Sequence, residues 1–212
     1  MRLDWILVLL ILSNLRLMAS ARMGAKIRTV AAQGVLLGLV PLLAGAHTPG
    51  LRSLVVALAG MFVKGAVFPW LLHRALRESR EGREVQPYIG YMGSLLAALT
   101  GLVGALLLSL RLAPFPAGAT ALLVMAAFFS IYAGLFLIIS RKRAINQVLG
   151  FLVLENGVFL FAAGVMGRTS LLVEVGILLD VLVAVFVMGL TLFHINREFD
   201  HMETDRLTDL RD

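Results

Sequence analysis

Long apolar runs separated by brief clusters of charge set the pattern of this chain. As a helix, about 20 consecutive apolar residues cross a bilayer, and seven runs approach or exceed that length. They predict helices over 3–20, 29–46, 51–73, 88–110, 117–140, 144–167 and 171–195. Turn-forming residues mark several boundaries, such as His47-Thr48-Pro49-Gly50 after the second run and Ala113-Pro114-Phe115-Pro116 after the fourth. Only residues 74–87, rich in alternating Arg and Glu, make a longer connection. No linker or change of composition divides the chain. A single transmembrane domain over 1–212 is expected, with an N-terminal four-helix part (1–115), a three-helix part (116–196) and a tail (197–212).

Composition supports that reading. Hydrophobic residues make up 59% of the chain and charged ones 15%, where a soluble domain carries about a quarter charged residues. The expected fold class is therefore all-α, a polytopic membrane protein whose solvent is the lipid bilayer. With no cysteine, disulfides, iron–sulfur clusters and thiolate zinc sites are excluded, and no cofactor is expected on the chain itself. A net charge of +6 does not point to nucleic acid here, because Lys and Arg gather in the short connections.

Those connections predict orientation, since cytoplasmic loops are enriched in Lys and Arg. One side receives Arg16, Arg22, Lys26, Arg28, Arg74, Arg77, Arg80, Arg83, Arg141, Lys142, Arg143, Arg197, Arg206 and Arg211. The other receives Arg2, Arg52, Arg111 and Arg168. The N-terminus is therefore expected outside and the C-terminus in the cytoplasm. The first run has some features of a secretory signal, but Asp4 in its head and Arg16 in its tail favour a retained helix. Trp5 and Trp70 fall near opposite interfaces, where amphipathic aromatic rings anchor. Gly34 and Gly38, and Gly150, Gly157 and Gly164, form small-residue seams that let helix backbones approach. They are read as packing seams.

Lys64, Glu155 and Asp180 are the chemically conspicuous residues, each deep inside an apolar run. A charge near a helix centre opposes insertion by about 2.5–3.5 kcal/mol, so the three together oppose it by roughly 8–10 kcal/mol. Intramembrane ionisable residues are by default functional candidates. At about 1.5 Å per residue, Lys64, Glu155 and Asp180 lie roughly 13, 17 and 22 Å from the cytoplasmic ends of their helices. The sixth and seventh runs are joined only by Arg168, Thr169 and Ser170, so they should be antiparallel neighbours that bring Glu155 towards Asp180. Glu155 lies about 200° around the helix from Gly157, which turns the acid and the glycine seam to different partners. Pro69 removes the N–H that would bond the Gly65 carbonyl, predicting a kink at Gly65 and Pro69 beside Lys64. Pro41 has the same relation to Leu37, with no charge nearby.

Desolvation disfavours the charged form of such groups and pairing favours it, so together they can take up and release protons. Two readings stay open. The trio relays protons, or it merely pairs within the protein or with a partner subunit for assembly. Glu174, near the outer end of the seventh helix, is either solvated or gates the access of water. His47, His73, His194 and His201 lie at or beyond helix ends, and no catalytic motif for a soluble substrate is present. A seven-helix retinal-type photoreceptor is disfavoured by 8% aromatic residues and a lysine in the third helix.

The stretches Leu149-Gly150-Phe151-Leu152-Val153-Leu154-Glu155-Asn156-Gly157 and Leu172-Val173-Glu174-Val175-Gly176-Ile177-Leu178-Leu179-Asp180, with the tail Asp205-Arg206-Leu207-Thr208-Asp209-Leu210-Arg211, resemble the hydrogenase-4 component E family. Lys64 with Pro69 downstream also fits. The last three helices are similar to the K subunit of respiratory complex I and the C subunit of Mrp-type antiporters. In that subunit two successive helices each carry a buried Glu; Glu155 matches the first, and Asp180, a shorter acid, stands at the second. The resemblance implies a noncatalytic subunit in a prokaryotic cytoplasmic membrane. Its implied partners are antiporter-like membrane subunits and, on the cytoplasmic side, a nickel–iron hydrogenase or related redox module. It further implies that Lys64, Glu155 and Asp180 serve translocation of protons or sodium.

Overall fold

The computed structural model describes residues 2–44, 51–78, 89–112, 120–141 and 143–166. It is all-α, without β-strands among the described residues. The elements are α1 (Arg2–Ala19), α2 (Met23–Ala44), α3 (Leu51–Phe62), a π-helical turn (Val63–Val67), α4 (Phe68–Glu78), α5 (Tyr91–Arg111), α6 (Ala121–Ser140) and α7 (Ala144–Met166). α3, the π turn and α4 run on continuously, so these elements answer to the first six predicted helices. The seventh, over 171–195, lies outside the described residues together with the tail.

Among the described residues, four helical segments are long and apolar enough to cross a membrane: Met23–Val40, Tyr91–Arg111, Ala121–Ser140 and Ile145–Ala162. α1 carries Arg2, Asp4 and Arg16 within 18 residues, and the third predicted helix is divided by its π turn. α6 starts cleanly because the Thr120 side chain accepts from the Leu123 N–H (3.2 Å), satisfying one of the free donors of its first turn. Arg141 in extended conformation ends it.

Polarity is distributed as lipid requires. α5 buries only Ser94, Ala98, Gly101, Ala105 and Ser109, a stripe of small residues at helical spacing. Its Leu96, Leu99, Leu107 and Leu110 are exposed, as are Trp5 and Trp70. Meanwhile Asn14, Lys26, Gln33, Asn146 and Glu155 are buried. In water this arrangement would be unfavourable at both surface and core; in a bilayer the apolar exterior costs nothing.

α6 and α7 pack through glycine. A Cβ on Gly150 would stand 2.7 Å from the Gly134 carbonyl oxygen, and one on Gly157 2.6 Å from the Ile131 nitrogen. The other seam joins α2 to the third helix. A Cβ on Gly34 would meet that of Lys64 at 2.5 Å, and one on Gly38 would run into Met61. Both seams read from the sequence are thus contact surfaces, for Gly34, Gly38, Gly150 and Gly157.

Two boundary expectations need correction. α2 begins at Met23 rather than 29, so Lys26 is a helical residue at 1% exposure and no part of a solvated loop. Arg141, expected among loop charges, is likewise buried. α2 also remains α-helical through Pro41, which lies within a turn of its end at Ala44.

Gly150→Val should destabilise the protein in detergent by about 1–3 kcal/mol, because the atom in the way is backbone and cannot move aside. Gly104→Ala, whose added Cβ meets nothing within 4 Å, should be neutral or stabilising by up to about 1 kcal/mol. Denaturant unfolding of the two variants measures the difference.

Candidate functional site

Pro69 cannot donate a backbone hydrogen bond, and the chain resolves this by widening the preceding turn rather than by a simple kink. Val63–Val67 is π-helical, and the Phe68 N–H donates to the Val63 carbonyl. Lys64 lies within this turn, pressed on α2 by Gly34, while Gly65 sits so close to Val35 that a Cβ there would be 2.7 Å from its Cγ2. Gly65 and Pro69 therefore shape the segment that carries the lysine.

Lys64 Nζ donates to Glu155 Oε1 at 2.5 Å. The glutamate is 1% exposed and the lysine 14%. Nζ also stands 6.0 Å from the centre of the Phe159 ring, one turn beyond Glu155 on α7. A cavity of about 10 Å³ adjoins the pair, lined by Val30, Gly34, Lys64, Phe68, Leu152 and Asn156. That is about the room one water needs, and Lys64 and Asn156 supply polar partners for it. α7 turns its glycines to α6 and its acid to the π turn, as the helical angles require.

Chemically, the pair can exist as ammonium and carboxylate or, after one proton moves, as amine and carboxylic acid. Among the described residues, no three His, Cys, Asp or Glu side chains gather as metal ligands would. Asp180 and Glu174 lie outside the described residues, so the structure brings together two of the three predicted relay residues.

Reading only the mid-helix charges missed further buried polar groups. Lys26 Nζ donates to Asn146 Oδ1 at 3.0 Å, joining the first turns of α2 and α7. The Arg141 guanidinium donates to the Met18 carbonyl (3.1 Å) and to Ser94 Oγ (3.3 Å), satisfying a carbonyl in the last turn of α1. Deeper in, Gln33 Nε2 donates to Ser13 Oγ and Asn14 Oδ1, both at 2.7 Å, and Asn14 Nδ2 donates to Ser130 Oγ at 2.8 Å. The available signal was neutral amides within apolar runs, with Lys26 and Gln33 seven residues apart on one face of α2.

Residues 120–212 match the family described as NADH-ubiquinone/plastoquinone oxidoreductase chain 4L. The chain is 34% identical over 208 residues to an uncharacterized protein of Mycobacterium tuberculosis, covering 96% of this chain and 93% of that protein. It is 29% identical over 161 residues to hydrogenase-4 component E of Escherichia coli K12, covering 76% of this chain and 74% of that protein. Hydrogenase-4 component E of Shigella flexneri is similar to the same degree. No solved structure matches the chain.

Removing one member of the buried pair leaves the other charge uncompensated. Lys64→Met or Glu155→Leu alone should each cost about 3–5 kcal/mol, whereas the double substitution should recover most of the loss. Unfolding of the three variants in detergent tests this. Additive losses in the double variant would show that the two side chains do not interact.

Proposed function

We propose a role from one premise: this chain belongs to the hydrogenase-4 component E family, whose C-terminal part is like chain 4L of NADH–quinone oxidoreductase. It is a membrane subunit of that complex I-like class. Its role is to carry protons, or sodium in their place, across the membrane centre while a partner performs the redox chemistry. One observation carries this reading: Lys64, on the π turn and lining a cavity about the size of a water, is ion-paired with the buried Glu155 of α7. Asp180, on the next predicted helix, would exchange the proton with Glu155, with Glu174 controlling water access.

In this reading the protein sits in a prokaryotic cytoplasmic membrane, and the distribution of Lys and Arg favours an N-terminus outside and a C-terminus in the cytoplasm. Lys26 bonded to Asn146, and Arg141 to Met18, support a common side for the α1–α2 and α6–α7 connections. Partners would be antiporter-like membrane subunits and a nickel–iron hydrogenase or related redox module, docked by the charged connection 74–87 and the tail 197–212.

Glu155→Gln in the assembled complex should lower ion movement per redox turnover by about tenfold, equivalent to about 1.4 kcal/mol in the barrier. Inverted membrane vesicles report both quantities at once. Unchanged ion movement per turnover would refute the relay. Loss of the subunit from the purified complex would favour structural pairing in its place.

A further inference from the structure

Gln33 is 1% exposed, yet its Oε1 has no hydrogen-bond partner among the described residues. Its neighbours fix the orientation of the amide. The Ser130 hydroxyl donates to the Ala126 carbonyl (2.8 Å), so its oxygen accepts from Asn14 Nδ2. Asn14 must then turn its Oδ1 towards Gln33, where it accepts from Nε2. The Ser13 hydroxyl donates to the Leu10 carbonyl (2.7 Å), so it too accepts from Gln33 Nε2. Both hydrogens of Nε2 are committed, and flipping the amide would set two acceptor oxygens against each other. Oε1 is thus a strong acceptor held in the interior, and buried acceptors of this kind are satisfied by ordered water.

Lys26, Thr29 and Gln33 share one buried face of α2. The Thr29 hydroxyl donates to the Ala25 carbonyl at 2.8 Å, which leaves its oxygen able to accept. Lys26 and Asn146 meet at one level. From there, at 1.5 Å per residue, Gln33 lies about 10 Å along α2 and Glu155 about 13 Å along α7, nearly the same depth. The residue after Gln33 is Gly34, which is packed on Lys64.

We propose that Gln33 Oε1 binds a water, and that the α2 face Lys26–Thr29–Gln33 brings protons to the Lys64–Glu155 pair from the end where α2 and α7 begin. The direction of use rests on the relay reading above; the bound water does not. At each hop a water oxygen gains one proton and releases another, while the amides stay neutral and no electron moves. The last proton bonds to the Glu155 carboxylate, which then releases the Lys64 ammonium from the ion pair.

The chain has no cysteine, so single-cysteine variants report on one position each. In the assembled complex, Thr29→Cys and Gln33→Cys should react with a small ammonium-bearing methanethiosulfonate about tenfold faster than Leu37→Cys, further along the same buried face. Equal rates at all three positions would overturn the hydrated route. Thr29→Val and Gln33→Leu should lower ion movement per redox turnover several-fold with subunit content unchanged. If Glu155→Gln uncouples the complex and these two do not, the route is wrong and the relay stands. If Glu155→Gln has no effect, the relay fails, and the cysteine rates alone decide whether the Gln33 face holds water.

Discussion

The ion pair between Lys64 and Glu155 is the constraint around which the rest of the molecule is arranged. Neither charge would be tolerated singly in the interior of the helices, and the pair is tolerated only if its geometry holds. That requires two helices distant in sequence to meet at one depth with their side chains aligned. Three local features achieve it. Gly34 lets the third helix close on α2, the π turn upstream of Pro69 sets the direction of the lysine, and the glycines of α7 hold its opposite face to α6.

Glycine has a different function here from the one it serves in soluble helices. In water, a mid-helix glycine costs about 1 kcal/mol relative to alanine and is usually avoided. In lipid, helices gain nothing by hiding apolar side chains from one another, so backbone proximity and polar contacts hold them together. Gly134, Gly150 and Gly157 bring α6 and α7 into backbone contact. With that pair locked, α1 places Asn14 against α6 and α2 places Lys26 against α7. The polar interior and the glycine seams are two expressions of one solvent.

The length of the apolar runs alone located the six predicted helices to which α1–α7 and the π turn answer, because spanning length and apolar content are local properties of the chain. A disturbance upstream of Pro69 was legible for the same reason, since a missing N–H acts within one turn, but its form, a π turn over Val63–Val67, was not. The extent of α2 was not. Lys26 reads as a loop charge because composition cannot register that Asn146, 120 residues away, accepts from it. Arg141 lies in the α6–α7 connection as expected, but its burial was not legible, because its guanidinium donates to a carbonyl of α1 and a hydroxyl of α5.

The amino-acid order by itself determined that this is a membrane-embedded helical protein with ionisable groups where lipid opposes them, since hydropathy and charge sum residue by residue. Only the tertiary structure decided that Lys64 faces Glu155, and that the neutral amides Asn14 and Gln33 join Ser13 and Ser130 in one directed network. Pairing depends on which helices adjoin and at what relative height. Those are set by backbone approach at a few glycines and by hydrogen-bond direction, and neither is encoded in the character of any one segment.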